Sequence, residues 1–232
     1  MGTFTDSALD ARARSMLDRF DANRYRLLPV ADTKTADAYN ELMRDAYEPL
    51  GFMTDGVLPR SDSDCYQIQY DQKMVAVFRL TEVSERNSYF FSLGHFGNRM
   101  EVNPARLIEV NNVVVQKEFR ATIVLGLILQ ACATIAEERK FDYVVGITRQ
   151  QTLRYFVDFG VTPIDHEPFH VMGRSDVHDF VIYYDLTTDD SRAYMRQRSK
   201  RYFHQQYVMR SIQLKYGTGA SARRSNEALM EA

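Results

Sequence analysis

Two charged residues lie inside segments whose other residues have the apolar pattern of strands. Glu109 falls within Leu107–Val115, and Arg79 has apolar neighbours on both sides. A carboxylate on an interior strand is costly unless it has a partner or a task, so Glu109 is a candidate general base. Strand alternation puts Asn111 and Val113 on the same face as Glu109, so we expect Asn111 to share whatever Glu109 contacts.

Arg79 offers a second kind of chemistry. A guanidinium can bind the carboxylate of a substrate through two parallel hydrogen bonds. Glu109 and Arg79 could each instead have a structural role in an ion pair. Glu109 could form an ion pair with Arg79 or Arg106, and Arg79 could form one with Asp62 or Asp64.

Several other chemistries lack support. No segment matches G-x-G-x-x-G or G-x-x-x-x-G-K, which argues against dinucleotide-binding and P-loop folds. His166 and His170 are separated by Pro168, which breaks the helix that would bring both to one metal ion, so we expect no metal site. Cys65 and Cys132 are too few for a disulfide framework, so we expect both to be reduced, in the cytoplasm.

Hydrophobic periodicity predicts the elements that position these residues. The order is mixed, with two helices, an antiparallel meander and then strands alternating with helices. The predicted helices are 1–23, 33–48, 121–138, 152–159 and a basic helix at 190–216, and the predicted strands are 25–30, 66–70, 74–83, 89–93, 107–115, 143–148, 169–172 and 180–186. Residues 217–232 are predicted to be a disordered tail.

Composition predicts one globular domain with a substantial core. The 232 residues carry 29 Lys and Arg against 31 Asp and Glu, and 45% are hydrophobic. The longest uncharged run, Ala121–Ala136, is shorter than the roughly 20 residues that cross a bilayer, so we expect no membrane span. The N-terminal residues lack the apolar region of a secretory signal.

Charge is distributed unevenly along the chain. Residues 190–232 contain nine Lys or Arg and three Asp or Glu, a net charge of +6, and residues 1–189 carry −8. The cationic segment could dock an acidic partner such as a carrier protein, or it could be an ordinary solvated helix face. No nucleic-acid-binding motif accompanies it, so we do not expect a nucleic acid as its partner.

One stretch of the chain has a distinctive order of elements. A strand ending at Val115 leads through Gln116–Arg120 into a long apolar helix, and a second strand and an aromatic segment ending in Gly160-Val161 follow it. This stretch resembles the core of the GNAT superfamily of N-acyltransferases. Upstream, the helix and loop from Leu42 to Phe52 and the strand around Arg79 are similar to those of acyl-homoserine-lactone synthases and N-acyl amino acid synthases. The resemblance covers about residues 24–186.

This resemblance implies an α/β fold with a mixed, largely antiparallel central sheet flanked by helices, to which this chain adds an N-terminal helix and a long C-terminal helix. It implies domain bounds of 24–189. It also implies a wedge between the fourth and fifth strands, where backbone N–H groups near Asn112–Val114 would polarise a thioester carbonyl. No permanently bound cofactor is expected, and the acyl donor would be acyl-CoA or an acyl-phosphopantetheine on an acyl carrier protein.

The implied site has three parts. Catalysis is assigned to Glu109 and Asn111, and acceptor binding to Arg79, Asp62 and Asp64. The donor-binding residues follow the two strands and the helix start: Val113, Val115, Arg120, Thr122, Ile123, Val124, Leu125, Thr148 and Tyr155. Val113, Val115, Val145 and Ile147 could line a slot for the acyl chain or could be plain core.

Four positions depart from the pattern of the superfamily or of its lactone-synthase branch. Ile123 and Leu125 stand where its phosphate loop usually has small residues, and Phe156 replaces its usual Tyr acid. Asn112 stands where lactone synthases usually carry Arg. The sequence therefore supports two hypotheses: an N-acyltransferase acting on a small amine such as an amino acid, and a non-catalytic module that docks an acidic protein through its basic C-terminal helix.

Overall fold

The structure, a computed structural model, describes residues 17–51, 63–84, 103–120, 122–164 and 178–216. These residues contain seven strands and four α-helices. The strands are β1 (Tyr25–Pro29), β2 (Ser63–Tyr70), β3 (Lys73–Glu82), β4 (Leu107–Val115), β5 (Tyr143–Arg149), β6 (Thr162–Pro163) and β7 (Asp179–Asp185). The helices are α1 (Thr33–Tyr47), α2 (Val124–Glu138), α3 (Gln150–Asp158) and α4 (Asp189–Tyr216).

The strands form one sheet in the order β1-β2-β3-β4-β5-β7-β6. All neighbouring pairs are antiparallel except β4 and β5, which are parallel. The predicted mixed, largely antiparallel sheet is therefore confirmed. Most of the predicted N-terminal helix, the predicted strands at 89–93 and 169–172, and the tail lie outside the described residues, whereas the short β6 was not predicted.

Helices cover both faces of this sheet. On one face, which we call the α1 face, Tyr39 and Met43 pack with Val77 of β3 and Val114 of β4. On the opposite α2 face, the apolar side of α2 packs on the central strands, and this cluster contains the largest set of buried residues. Strand alternation on β3 sends Val77, Arg79 and Thr81 to the α1 face and the residues between them to the α2 face.

Local sequence explains where several elements begin and end. Asp32 Oδ1 accepts a hydrogen bond from the Thr35 backbone N–H, at 2.8 Å, and Thr35 Oγ1 accepts one from the Asp32 backbone N–H, at 3.3 Å, so a capping box starts α1 at the predicted residue. The β2–β3 hairpin turns through Asp71 and Gln72, both with positive φ, a conformation that suits a two-residue hairpin. Gly160, with φ of 88°, follows α3.

The C-terminal helix α4 crosses α2 and α3. Near its start, Arg192 and Arg196 form ion pairs with Glu137 at the end of α2. Further along, Phe203 lies against Gly126 in the first turn of α2. The helix therefore runs antiparallel to α2 and reaches the end of the sheet where β4 leads into α2.

Candidate active site

A β-bulge in β4 shapes the site. Val77 pairs with Val114 and Arg79 pairs with Asn111, so β4 has one residue more than β3 between these two pairs. Asn112 lies in this extra segment with φ of 54°, a left-handed conformation in which Asn is one of the few tolerated non-glycine residues. This backbone requirement gives a physical reason for Asn at the position where the resemblance led us to note a missing Arg.

Strands β4 and β5 separate beyond the start of this bulge. They pair from Leu107–Tyr143 to Val110–Gly146 and no further, although β4 continues to Val115 and β5 to Arg149. At the last pair, a Cβ on Gly146 would lie 2.9 Å from Val110 Cγ1, so glycine lets the two strands approach closely there. The described strands thus form a wedge that closes at Val110 and Gly146 and opens toward the starts of α2 and α3.

A row of polar side chains lies on the α1 face beside this wedge. Glu109 is buried, at 4% exposed, and its Oε1 accepts a hydrogen bond from Asn111 Nδ2 at 3.2 Å. Asn111 Nδ2 also donates to Thr81 Oγ1 at 3.3 Å, and Asn111 Oδ1 accepts from Arg79 Nε at 2.7 Å. Glu109 and Asn111 lie on one face, as expected, and the Asn111 amide lies between the carboxylate and the guanidinium.

Two alternatives that the sequence left open are now decided. Arg106 makes two hydrogen bonds to Asp142, at 2.9 and 2.6 Å, and is not the partner of Glu109 in the described structure. Asp64 forms an ion pair with Arg139 at the end of α2 and is not the partner of Arg79 in the described structure. Strand alternation on β2 turns Asp64 to the α2 face, whereas Cys65, which pairs with Arg79, lies on the α1 face. A role for Asp64 in acceptor binding stays a prediction, and Asp62 lies outside the described residues.

The bulge also corrects the prediction that Val113 shares the face of Glu109. The extra residue reverses the alternation, so Val113 and Val115 pack with the α2-face cluster, whereas Val145 and Ile147 pack on the α1 face. The four residues predicted to line one acyl slot therefore lie on opposite faces of the sheet. Val113 and Val115 remain beside the wedge, on the β4 side.

An apolar cavity of about 20 Å³ lies at the closed end of the wedge on the α2 face. Val110, Gly146 and Phe156 contribute to its lining, together with residues of α2 and Met195 of α4. Phe156 therefore occupies the position next to the wedge, and Tyr155, whose hydroxyl accepts from Arg154 Nη2 at 2.9 Å, is not among the lining residues. Thr148, on β5 past the last β4–β5 pair, shares a 2.8 Å hydrogen bond with Thr152 of α3.

The segment between β4 and α2 carries the residues predicted to bind a phosphate. Arg120 is exposed, and its Nε donates to the Val115 carbonyl at 3.1 Å, which holds it at the open end of the wedge. Ile123 and Val124 are both fully buried. Thr122 is also buried, and its hydroxyl donates to the Phe119 carbonyl at 2.7 Å and accepts from Val124 N at 3.4 Å. Leu125 is half-buried.

The described residues also bear on metal binding, cysteine reactivity and membrane-spanning helices. No group of three or more His, Cys, Asp or Glu that could hold a metal ion occurs among them. Both cysteines are buried and free, and burial raises the pKa of each thiol, which disfavours a reactive thiolate. Within the same part of the chain, no helix is long and apolar enough to cross a membrane.

No protein-family model matches the chain, and no curated protein matches it in sequence. Several solved structures match it in fold. FeeM, an N-acyl amino acid synthase from uncultured soil microbes, is 13% identical with a TM-score of 0.56, and the match covers 70% of this chain and 90% of that chain. BjaI, a CoA-dependent acyl-homoserine lactone synthase solved with SAM and isopentyl-CoA, is 15% identical with the same TM-score, and the match covers 76% of this chain and 89% of that chain. The chain has the GNAT fold.

An N-acetyltransferase-like protein from Lactobacillus plantarum supports the same assignment, at 14% identity and a TM-score of 0.52, with 71% of this chain and 99% of that chain covered. The fold suggested by the sequence resemblance is therefore confirmed. The separation of β4 from β5 in this GNAT fold is the wedge that the resemblance implied, and the polar row of Glu109, Asn111 and Arg79 lies next to it.

Sequence reasoning missed Gly146 and Thr81. Gly146 could have been found, because an isolated glycine in a strand pattern often marks a close backbone approach. Thr81 carried no such signal, since only the register of β3 with β4 places it opposite Glu109.

Proposed function

We propose that this protein is an N-acyltransferase that moves an acyl group from a thioester to the amine of a small molecule such as an amino acid. The observation that carries the proposal is the wedge between β4 and β5 with a buried carboxylate beside it. FeeM and BjaI, which share the fold, are named for the synthesis of an N-acyl amino acid and of an acyl-homoserine lactone. Both products contain an acylated amine.

The reaction needs a neutral amine, because a protonated amine has no lone pair to attack the thioester. In this proposal Glu109 takes a proton from the ammonium, directly or through water. Asn111 holds the carboxylate through its Nδ2 and keeps Arg79 at a distance from it. A direct ion pair with Arg79 would stabilise the charged carboxylate and make it a weaker base.

The amine nitrogen then forms a bond to the thioester carbonyl carbon, and the oxygen takes up negative charge. Backbone N–H groups of β4 near Asn112–Val114, beyond the last pair with β5, are the proposed donors to that oxygen. The carbon–sulfur bond breaks as the carbonyl re-forms, the nitrogen loses its remaining extra proton, and the sulfur leaves as a thiolate that is then protonated. A thiol pKa near 8.5 makes this departure feasible without the acid that Phe156 lacks.

Arg79 is the proposed binding group for an acceptor carboxylate. It is half-buried, and in the described residues its only recorded hydrogen bond uses Nε, while the two terminal nitrogens make none. The two terminal nitrogens of the guanidinium can therefore donate two parallel hydrogen bonds to a carboxylate. An amino acid bound there would present its amine within the same polar row as Glu109.

Mass spectrometry of lipid extracts tests the proposal. Cells expressing the chain should contain a new N-acylated product, whose mass identifies both the acyl group and the acceptor. Glu109→Gln should lower the rate of product formation by about 10²–10⁴-fold, because the base is lost while the hydrogen bond from Asn111 can remain. The matched control is Asp142→Asn, the same chemical change in the Arg106 pair, which should leave the product unchanged.

With the acceptor identified, Arg79→Lys provides a second test. The KM for the acceptor should rise roughly tenfold or more, since about 1.5 kcal/mol of a charged hydrogen bond is lost. The kcat should change much less. If wild-type and Glu109→Gln cells are equally devoid of product, the filled helix start and Phe156 favour the second candidate function, a non-catalytic module that binds an acidic protein.

A further inference from the structure

The start of α2 is packed with the protein's own side chains. Ile123 and Val124 are fully buried, and the Thr122 hydroxyl already accepts from the Val124 backbone N–H. Gly126, in the first turn, is covered on its other side, because a Cβ there would lie 2.8 Å from the Phe159 ring and 2.9 Å from the Phe203 ring. A diphosphate must approach the backbone amides of a helix start closely, which small residues allow and the bulky Ile123, Val124 and Leu125 do not.

One cation remains exposed at the open end of the wedge. Arg120 is held there by its hydrogen bond to the Val115 carbonyl. A single guanidinium suits a single phosphate better than the three phosphate groups of coenzyme A. The binding energy that a nucleotide would contribute must then come from another surface.

Helix α4 provides such a surface beside the same end of α2. Residues 191–216 contain seven Lys or Arg and no Asp or Glu. Phe203 fixes the helix against Gly126, and the exposed Lys200, Arg201 and His204 lie within about one turn of Phe203 along the axis. Lys200 and Arg201 have no ion-pair partner among the described residues, in contrast to Arg192 and Arg196.

An apolar side chain continues this strip. Val208 is 37% exposed and lies one turn after His204 on the same side of α4. A rise of 1.5 Å per residue puts it about 7–8 Å beyond Phe203. Exposed cationic residues beside an apolar one form a mixed surface of the kind that binds another protein rather than a small anion.

We propose that Lys200, Arg201, His204 and Val208 form a docking surface for an acidic carrier protein, which delivers the acyl group on a phosphopantetheine arm. This inference rests on the proposed function for the identity of the donor. The bulky side chains at the helix start disfavour a nucleotide-bound donor, and the cationic strip complements an acidic protein. The single phosphate of the arm would lie near Arg120, with its thioester in the wedge.

Binding measurements on the full chain test the docking surface without any need for an acceptor. The probes are a purified acyl carrier protein charged with a decanoyl group and decanoyl-CoA. The carrier should bind more tightly than decanoyl-CoA, and its affinity should fall as salt is raised. Lys200→Glu/Arg201→Glu should weaken carrier binding by roughly tenfold or more.

The matched control is Lys34→Glu/Lys140→Glu, which makes the same change in charge at exposed positions on α1 and beyond the far end of α2. It should leave carrier binding unchanged. Tighter binding of decanoyl-CoA, or equal effects of the two double variants, would overturn the proposal. So would binding to a DNA duplex or to anionic phosphatidylglycerol vesicles that requires Lys200 and Arg201 when the carrier does not bind.

The outcomes also separate this inference from the proposed function. A carrier that docks through α4 while no N-acylated product forms would leave the docking surface in place and remove the transferase. If the wild type and the α4 variant make the product equally well from decanoyl-CoA, the transferase activity would stand and the docking surface would be refuted.

Discussion

The closed end of the wedge can be tested by placing a methyl group on Gly146. The new Cβ would lie 2.9 Å from Val110 Cγ1 and 3.3 Å from the Val110 carbonyl oxygen. Both distances are shorter than ordinary contacts, and the second is to backbone, which yields less easily. Overpacking of this kind costs about 1–3 kcal/mol, and removing a strand glycine returns about 0.5–1 kcal/mol. The free energy of unfolding of Gly146→Ala should therefore fall by about 1–2 kcal/mol.

A double-mutant cycle identifies Val110 as the cause. Val110→Ala alone should cost about 1–2 kcal/mol, because it removes two methyl groups of a partly buried side chain beside an existing cavity. In the double variant the new Cβ no longer meets Cγ1, so the combined loss should be smaller than the sum by about 1 kcal/mol. Urea unfolding followed by circular dichroism measures all four proteins. Gly126→Ala is the control, because its close neighbours are Phe159 and Phe203, and it should combine additively with Val110→Ala.

Two results would refute this reasoning. Gly146→Ala could be as stable as the wild type, or its effect could add fully to that of Val110→Ala. Either would mean that β4 and β5 are not in contact at this pair, and the wedge would close elsewhere. If the geometry is right, Gly146→Ala should also lower the rate of acyl transfer. Any movement of Val110 shifts β4, the strand whose backbone N–H groups are the proposed donors to the thioester carbonyl oxygen.

The remaining predictions concern the bulge and the attachment of α4. Asn112→Val should lower the free energy of unfolding by about 1–2 kcal/mol and Asn112→Gly by much less, because only the former resists positive φ; equal losses in urea would contradict the bulge. Burial raises the pKa of Tyr184 to about 12, and its hydroxyl donates to the Ser191 carbonyl of α4. A raised folded-state pKa means that this stabilisation is full below the ordinary value near 10 and is lost as pH rises toward 12. Tyr184→Phe should reduce that alkaline loss of stability, Tyr194→Phe should not, and identical pH profiles for the two variants would count against this role.

The fold was predictable because local signals agree with one another along most of the chain. Strand β4 has the predicted bounds, since its apolar and β-branched residues suit no other element. The Asp32 cap fixed the start of α1, and Gly160 fixed the end of α3. In each case the residues that decide the structure are neighbours in sequence.

The parts of the site that could not be predicted depend on register between distant strands. Val113 was assigned to the wrong face because one extra residue in β4 reverses all later alternation, and the bulge exists only relative to β3. The partner of Asp64 could not be predicted for a related reason, since Arg139 comes from the far end of α2. Periodicity gives the spacing within a strand, but it does not give the residue opposite.

The role of Asn111 shows why register matters for the chemistry. Glu109 and Arg79 lie on adjacent strands, and register pairs Arg79 with Asn111 and Glu109 with Thr81. The Asn111 amide therefore stands between opposite charges that would otherwise attract each other strongly in a buried site. Its oxygen accepts from Nε of Arg79 alone, which leaves the fork of terminal nitrogens for an incoming carboxylate. In the proposed reaction, one acceptor molecule would then place its carboxylate at Arg79 and its amine toward Glu109, a pairing of functional groups that amino acids provide.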